Sequence, residues 1–403
     1  MSAGRKKVAV FLGGRSPEHD VSIVTGLQVL SAIDPELYDS FPVYVSASGE
    51  WFVGDALRDR SAYIPSAADF AKLTKVTLNI GAGAKPALVP ATARLLGREA
   101  KIEFDIAIPA FHGAFGEDGC IQGMFEFASV PYTGMRVLAA SVFMDKVITK
   151  QVLADTGIPL LPTRNIERPA RGLLIMPEEL ITLLGEVSFP CIVKPRCLGS
   201  SIGISKANNW EELAAALPEV FKLDRNAIVE PFVPNLVEYN ISVGRFDGVT
   251  RASAIERPKH VSELLDFKAK YLSSDGEKGG GAKQLGSVSE GMLSLTREIN
   301  PHLPPEMTRN IRAWAIKAFE SVGGAGAPRI DFLCNEKTGE VWLNEINPCP
   351  GSFAYFLWEA AEHPVLFTNL LEGLITEGEE LHRRARAPQD PTPEAARLFK
   401  RKS

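Results

Sequence analysis

RIDFLCNEKTGEVWLNEIN, residues 329–347, is two apolar runs joined by a polar, turn-forming NEKTGE. Strand side chains alternate between faces, so Arg329 and Asp331 share one face of the first run. By the same rule Glu345 and Asn347 share one face of the second. Antiparallel pairing brings Asp331 close to Glu345 and Asn347, a cluster of hard oxygen donors beside an arginine. Such a set, with positions left open, suits Mg2+, which takes one or two carboxylates plus water and substrate phosphates. The other reading is a solvated strand face with a surface Arg–carboxylate pair. The flanking apolar residues weigh against it, because they place the strand in an interior.

Upstream of the hairpin, MTRNIRAWAIKAFESVGG has helical spacing, and EYNISVGRF and RASAIE read as strands. Between these strands and that helix lies the glycine-rich SSDGEKGGGAKQLGS. Further back, from about Met144, come the helix DKVITKQVLADTG, a helix near PEELITLLGE, the strand PCIVKP, the helix WEELAAAL and the strand AIVEPF. That order describes a compact α+β unit. The first third is different: KKVAVFLG, FPVYVSA, FDIAIPAFHG and VPYTG read as strands, with helices at HDVSIVTGLQVLSAI and IQGMFEFAS. Strands alternating with helices indicate a parallel α/β sheet. The fold class is therefore α/β plus α+β. The expected units are residues 1–143, 144–240 and 241–380, followed by a charged, proline-containing tail at 381–403.

A chain of 403 residues accommodates such units, and its net charge of −5 offers no basic excess for nucleic acid. The apolar run in MSAGRKKVAVFLGG is shorter than a secretory signal needs, and no stretch reaches the roughly 18 apolar residues of a membrane span. The five cysteines are scattered without a CxxC pair, which favours reduced thiols and a cytoplasmic setting.

Four further stretches carry chemistry. In VKPRCLGSSIGISK, Lys194 ends a strand and is followed by Gly199-Ser200-Ser201-Ile202-Gly203. Small residues let backbone N–H groups approach phosphate oxygens, and the lysine supplies a point charge. A plain turn is the alternative, since the P-loop order is absent. Lys146 opens the helix of MDKVITK and says little alone. FLGGRSPEHDVS sets Ser16-Pro17-Glu18 at a helix start, where Glu18 could simply complement the helix dipole. FHGAFGEDGCIQG places His112, Glu117 and Asp118 in a glycine-rich turn after a strand, where open α/β sheets bind ligands.

Taken in order, FLGGRSPEHDVS, FHGAFGEDGCIQGMFE, YTGMRVLAASVFMDKVITK, IVKPRCLGSSIGISK, LDFKAKYL and RIDF…LNEIN…PG resemble the D-alanine–D-alanine ligases of the ATP-grasp superfamily. The resemblance covers roughly residues 6–375. It implies an ATP-grasp fold with an N-terminal Rossmann-like (pre-ATP-grasp) domain, and a ligase that makes D-alanyl-D-alanine for peptidoglycan through an acyl phosphate. It also implies ATP as cosubstrate, two Mg2+ ions with Mn2+ as a substitute, amino-acid substrates and a homodimer. Carried over by position, Lys146 and Lys194 would contact ATP phosphates under the loop holding Gly199, Ser201 and Gly203. Glu230 and Glu238 would hold the adenine and ribose side. Asp331, Glu345 and Asn347 would bind the metals, while Arg329 and the Gly351 N–H would steady the reacting oxygens. Glu18 would hold the first ammonium in a chain with Ser200 and Tyr271. Lys270 would sit near the transferred phosphoryl group, and His112 near the first carboxylate.

The departures gather on the second-substrate side. Pro348 stands where the family has threonine. Phe356, followed by Leu357, stands where the family has a serine that holds the second carboxylate; Ser352 is a hydroxyl from a different position that could substitute. Pro231 and Arg196-Cys197 are unusual, and the segment from Ser273 to Glu306 is long. Two alternatives therefore accompany the ordinary ligase: a related ligase with a different second substrate, and a non-catalytic nucleotide-binding regulator.

Overall fold

The structure, a computed structural model, describes residues 4–63, 73–80, 85–91, 101–199, 202–259 and 297–386. Its strands fall into three sheets. The first contains β1 (Lys6–Gly13), β2 (Tyr38–Val45), β3 (Trp51–Val53), β4 (Thr74–Leu78), β5 (Ala87–Pro90), β6 (Ile102–Glu103) and β7 (Ile106–Pro109), in the order β6-β5-β4-β3-β2-β1-β7. β1 pairs in parallel with β2 and β7, as the alternating pattern predicts. From β2 outward, however, β3 to β6 pair antiparallel. Each of these strands neighbours the one that precedes it in sequence, an arrangement that antiparallel pairing allows and that a parallel reading of the alternation does not anticipate. VPYTG is not a strand either: Tyr132 makes a single bridge to Ala107, Pro131 has no N–H to give, and Gly134 turns the chain away at φ +89°. Helix α1 (His19–Ala32) covers one face of this sheet with Ile23, Val29 and Leu30, and α2 (Cys120–Phe127) covers the other with Ile121 and Phe125.

Two helices, α3 (Val137–Met144) and α4 (Lys146–Leu153), lead to the second sheet. It contains β8 (Arg164–Glu167), β9 (Cys191–Pro195), β10 (Ser205–Ala207) and β11 (Asn226–Pro231), antiparallel in the order β10-β9-β11-β8. Helices α5 (Pro177–Leu184) and α6 (Trp210–Leu223) bury Leu180, Leu184, Leu213, Leu217 and Phe221 against it.

The third sheet contains β12 (Leu236–Phe246), β13 (Val249–Pro258), β14 (Arg297–Ile299), β15 (Arg329–Asn335) and β16 (Val341–Asn347), antiparallel in the order β14-β13-β12-β15-β16. Helix α7 (Pro305–Ser321) packs Ile311, Ala315 and Phe319 on its apolar face. After β16 the chain turns through the short α8 (Tyr355–Glu359) into α9 (Phe367–Arg386). Leu370, Leu371, Leu374 and Ile375 of α9 join Val8, Val10 and Leu12 of β1 in one core, so the C-terminal helix closes back on the first sheet. Residues 381–386, expected in a loose tail, belong to this helix; the rest of that tail lies outside the described residues. No helix among the described residues is long and apolar enough to cross a membrane.

Candidate active site

The hairpin pairs antiparallel, with Asp331 opposite Glu345 and Arg329 opposite Asn347, which brings Asp331 close to both Glu345 and Asn347 as expected. Ile330, Phe332, Leu343 and Ile346 point to the other face and into the core. One irregularity was not legible. A bulge falls between Asp331 and Phe332, whose partners are Glu345 and Leu343, leaving Asn344 as the extra residue. Strict alternation would turn Asn344 away from Glu345, but the bulge re-aims it and both line the same cavity.

That cavity is lined by Lys146, Lys194, Glu238, Asp331, Asn344 and Glu345, with apolar walls that include Leu198, Ile202 and Ile204. Its cations arrive from separate elements. Asp145 caps α4 by accepting the Val147 and Ile148 N–H groups, which fixes Lys146 at the first turn. Lys146 Nζ lies 3.1 Å from Glu345 Oε2 and donates to the Leu198 carbonyl at 2.7 Å. Burial works against its charge, but Glu345 overrides that and the pKa is raised. The unusual Arg196 grips Asp145, with Nη2 2.6 Å from Oδ2, tying the end of β9 to the same cap. Lys194, near the end of β9, donates to Asn344 Oδ1 at 2.9 Å and pairs with Glu230 Oε2 at 2.9 Å.

Glu230 is not among the lining residues. It is 3% exposed and shared between Lys194 and Lys150, and it also accepts from the Thr163 hydroxyl at 2.8 Å. Burial pushes its pKa up, yet the two ammonium groups overcome this and hold it at about 2. The expected adenine contact thus has another observed role, as the counter-ion that fixes two lysines. Lys150 itself is lowered, by burial first, with Glu230 only partly compensating. It was missed, although it lies four residues after Lys146 and so on the same helix face.

The acids also pair with their neighbours. Arg329 Nε and Nη2 donate to Asp331 Oδ1 and Oδ2, each at 2.6 Å, and Asn347 Nδ2 donates to Asp331 Oδ2 at 3.0 Å. Asn347 Oδ1 points toward Gly199, 4.0 Å from where a Cβ on that glycine would sit. Two carboxylates and a turned amide oxygen are hard donors, so these residues fit a divalent cation of the Mg2+ type.

Glu18, buried just before α1, approaches from the first sheet: its carboxylate lies 3.7 Å from the Gly199 Cβ position, so the helix start, the glycine loop and the hairpin converge. Gly113, at φ +73°, allows this, because a Cβ there would fall 2.7 Å from Glu18 Oε2. Glu117 locks the two halves together. It accepts N–H groups from Gly113 at 2.6 Å and from Cys349, 232 positions along the chain, at 2.8 Å. Burial and the adjacent Glu18 push its pKa up to about 8.

His112 makes a parallel link. Its Nε2 lies 2.8 Å from the Thr25 hydroxyl, and Thr25 Oγ1 accepts the Ser352 N–H at 3.1 Å. The Cys349 backbone also hydrogen-bonds the ring. Burial lowers its pKa to about 4. Ser352 also bonds Gln28 through its hydroxyl, so the hydroxyl suggested as a substrate contact is engaged with α1. Thr25 and Gln28 were missed; their spacing along α1 is a common core pattern and carries no chemical signal.

The turn after Gly351 holds Ser352, Phe353 and Ala354 at φ +55°, +53° and +49°, a left-handed run without glycine. Beyond it Phe356 stacks under Arg297, while Leu357 is fully buried. Ser200, Ser201, Lys270 and Tyr271 lie outside the described residues; Gly203 turns the glycine loop at φ +74°.

Comparison with known proteins agrees over nearly the whole chain. A D-ala D-ala ligase N-terminus model matches residues 7–135, and a D-ala D-ala ligase C-terminus model matches residues 152–376. A D-alanine–D-alanine ligase from Listeria innocua is 32% identical over 395 residues, covering 94% of this chain and 96% of the relative. One from Deinococcus radiodurans is 34% identical, covering 93% and 99%. Among solved structures, the D-alanine-D-alanine ligase from Coxiella burnetii superposes with a TM-score of 0.74 at 25% identity, covering 95% and 96%. The VanG D-Ala:D-Ser ligase from Enterococcus faecalis shares the fold, with a TM-score of 0.70 at 23% identity over 93% and 99%.

Proposed function

The chain belongs to the D-alanine–D-alanine ligase family, and from that premise we propose how its own residues carry out ATP-dependent joining of two D-alanine molecules. The observation that carries the assignment is the cavity in which Lys146, Lys194, Asp331, Asn344 and Glu345 meet, with Arg329 paired to its Asp331 and Glu18 beside the Gly199 loop.

A carboxylate is a poor electrophile, so one carboxylate oxygen of the first D-alanine attacks the terminal phosphorus of ATP and ADP leaves. The amine of the second D-alanine then attacks the acyl carbon, phosphate departs and the amine loses a proton. Positioning and charge stabilisation dominate such chemistry. Lys146 and Lys194 face the phosphates, and their buried counter-ions keep them aimed. Arg329, paired to Asp331 by Nε and Nη2, neutralises oxygen charge at the reacting centre. Glu18, out of water beside Glu117, offers the first ammonium a buried carboxylate partner. Neutral His112 holds the 349–352 turn through Cys349 and Thr25 and adds no charge.

Asp331, Glu345 and Asn347 would hold Mg2+, two ions by the family pattern and Mn2+ in its place, and the metal would supply neutralisation of phosphate charge. Ser200, Ser201, Tyr271 and Lys270 belong to the same proposal as the closing loops, with Glu238 on the ribose side. So do the division into units at 1–143, 144–240 and 241–380, a homodimer, a cytoplasmic location and a product destined for peptidoglycan. Phosphate release from ATP with D-alanine, with product identification, tests the reading: D-alanyl-D-alanine is expected in step with ADP. Absence of amino-acid-stimulated phosphate release would leave only a nucleotide-binding regulator.

A further inference from the structure

The polar row that begins at the metal ligands does not stop there. Asn240 on β12 stands opposite Asp331 on β15, and Glu256 on β13 stands opposite Asn240. Directly paired residues share a face, so Glu345, Asp331, Asn240 and Glu256 cross the sheet in one line. Asn240 Nδ2 donates to Glu256 Oε1 at 3.0 Å, and Glu256 Oε2 accepts from Arg297 Nη1 at 2.8 Å. Arg297 lies with its guanidinium carbon 4.3 Å from the centroid of the Phe356 ring. Its Nε–H is buried and has no hydrogen-bond partner among the described residues.

A purely structural strap explains part of this. Arg297 neutralises Glu256, which is 1% exposed, and fastens β14 to β13. A strap does not explain why the Nε side of the guanidinium, the side that grips carboxylates in a fork, is left uncommitted in a buried position. Nor does it explain the stacking on Phe356, where the strained turn delivers an aromatic ring beside the polar row. The position also fits. Neighbouring strands are about 4.8 Å apart, so Glu256 lies about 10 Å across the sheet from Asp331. An acyl phosphate and an attacking amino acid laid end to end fill such a span.

We propose, resting on the ligase reading above, that Arg297 is a specificity-determining residue that receives the α-carboxylate of the attacking amino acid, with Phe356 as its platform. The guanidinium forks the carboxylate, and the ring keeps the guanidinium plane fixed. The bulk of Phe356 at the same place favours a small amino acid.

The test compares D-alanine with D-alaninamide as the attacking substrate, D-alanine being the first substrate throughout. The amide lacks the negative charge and keeps the nucleophile. In Arg297→Met the KM for the attacking D-alanine should rise tenfold or more, while KM for ATP and for the first D-alanine stays within twofold. Preference for D-alanine over the amide should fall by the same factor, with turnover of the amide unchanged. A strap alone would move all the KM values together, and that result overturns the proposal, as does an unchanged preference. If Arg297→Met does not fold, Arg297→Lys keeps the charge but loses the fork. A preference reduced at least threefold supports the role, and an undiminished preference refutes it. A wild-type enzyme with no D-alanine turnover would overturn the ligase reading itself, whereas turnover with an unaffected variant overturns only this inference.

Discussion

Replacing Glu230 by glutamine isolates the energetics of the lysine cluster. The carboxylate is 3% exposed and balances Lys194 and Lys150, both buried, so the amide would leave two ammonium groups in the interior with no counter-ion between them. A pKa displaced from 4.5 to about 2 corresponds to about 3 kcal/mol at about 1.4 kcal/mol per unit. Breaking one partner out of a buried ion pair costs about 3–5 kcal/mol, which agrees. Lys150 points the other way, since burial lowers its pKa despite Glu230. One carboxylate cannot fully serve two cations, so the lower end of the range is the better expectation. The sign follows from the depressed value: the contribution is complete above pH 4.5 and disappears as pH falls toward 2. Hydrogen exchange of the β9 and β11 amides at neutral pH reads the opening free energy of this layer directly. Glu230→Gln should lower it by about 3 kcal/mol, whereas Glu230→Gln combined with Lys150→Met should recover about half. ATP should slow exchange more in the single variant than in the wild type, because phosphate supplies the missing negative charge. A Glu230→Gln protein within about 1 kcal/mol of wild type, with unaltered nucleotide KM, would refute the reasoning.

Three further outcomes follow from other contacts. Glu117 titrates near 8 when folded against 4.5 unfolded, so its stabilising effect is complete below pH 4.5 and is lost as pH rises toward 8. Melting temperature against pH should fall across that window in the wild type, at up to about 1.4 kcal/mol per unit, and should be flatter in Glu117→Gln; parallel curves would contradict the assignment. Asn344→Ala removes the acceptor that aims Lys194, a charged hydrogen bond worth about 1.5–3 kcal/mol. KM for ATP should rise about tenfold and KM for D-alanine less than twofold, as measured by coupled ADP release, and an equal effect on both would argue against it. Gly113→Ala forces a Cβ to 2.7 Å from Glu18 Oε2 at φ +73° and should cost about 1–2 kcal/mol in backbone strain alone. The first D-alanine KM should increase with ATP KM unaffected; unaltered kinetics would show that Glu18 does not need its present position.

Much of this site was legible because its chemistry is local in sequence. The alternation in RIDFLC and VWLNEIN was enough to bring Asp331 close to Glu345 and Asn347, since a short turn and a buried face restrict the pairing. The longer strands and helices from Met144 to Phe246 also read correctly, being strongly patterned, whereas the short β8 and β10 were not anticipated. What failed depended on departures from periodicity. The bulge at Asn344 adds one residue to one strand, and nothing in VWLNEIN marks where. The meander from β3 to β6 has strands too short to show alternation, and VPYTG looks like a strand because Val, Tyr and Thr favour one. Nor did the motif reveal that Glu230, expected on the adenine side, also serves Lys194 and Lys150 as a buried counter-ion.

The left-handed turn at Ser352–Ala354 shows how the two substrate halves depend on each other. Each non-glycine residue in that region costs about 1–2 kcal/mol relative to the right-handed form, so the turn persists only if its surroundings over-determine it. They do so from the far end of the chain. Thr25 and Gln28 of α1 hold the Ser352 backbone and hydroxyl, and His112 and Glu117 hold Cys349. Phe353 and Trp358 are buried in the core that α9 shares with the first sheet, with Trp358 Nε1 donating to Ser242 Oγ at 3.0 Å. The residues that grip the turn lie on α1, just after Glu18, and on the His112–Glu117 loop with Gly113, where the first amino acid is expected. Anything that shifts those elements must therefore shift the turn that delivers Phe356 to Arg297. If the first amino acid binds beside Glu18 as proposed, His112 and Glu117 connect its site to the turn that carries Phe356, through the Cys349 backbone.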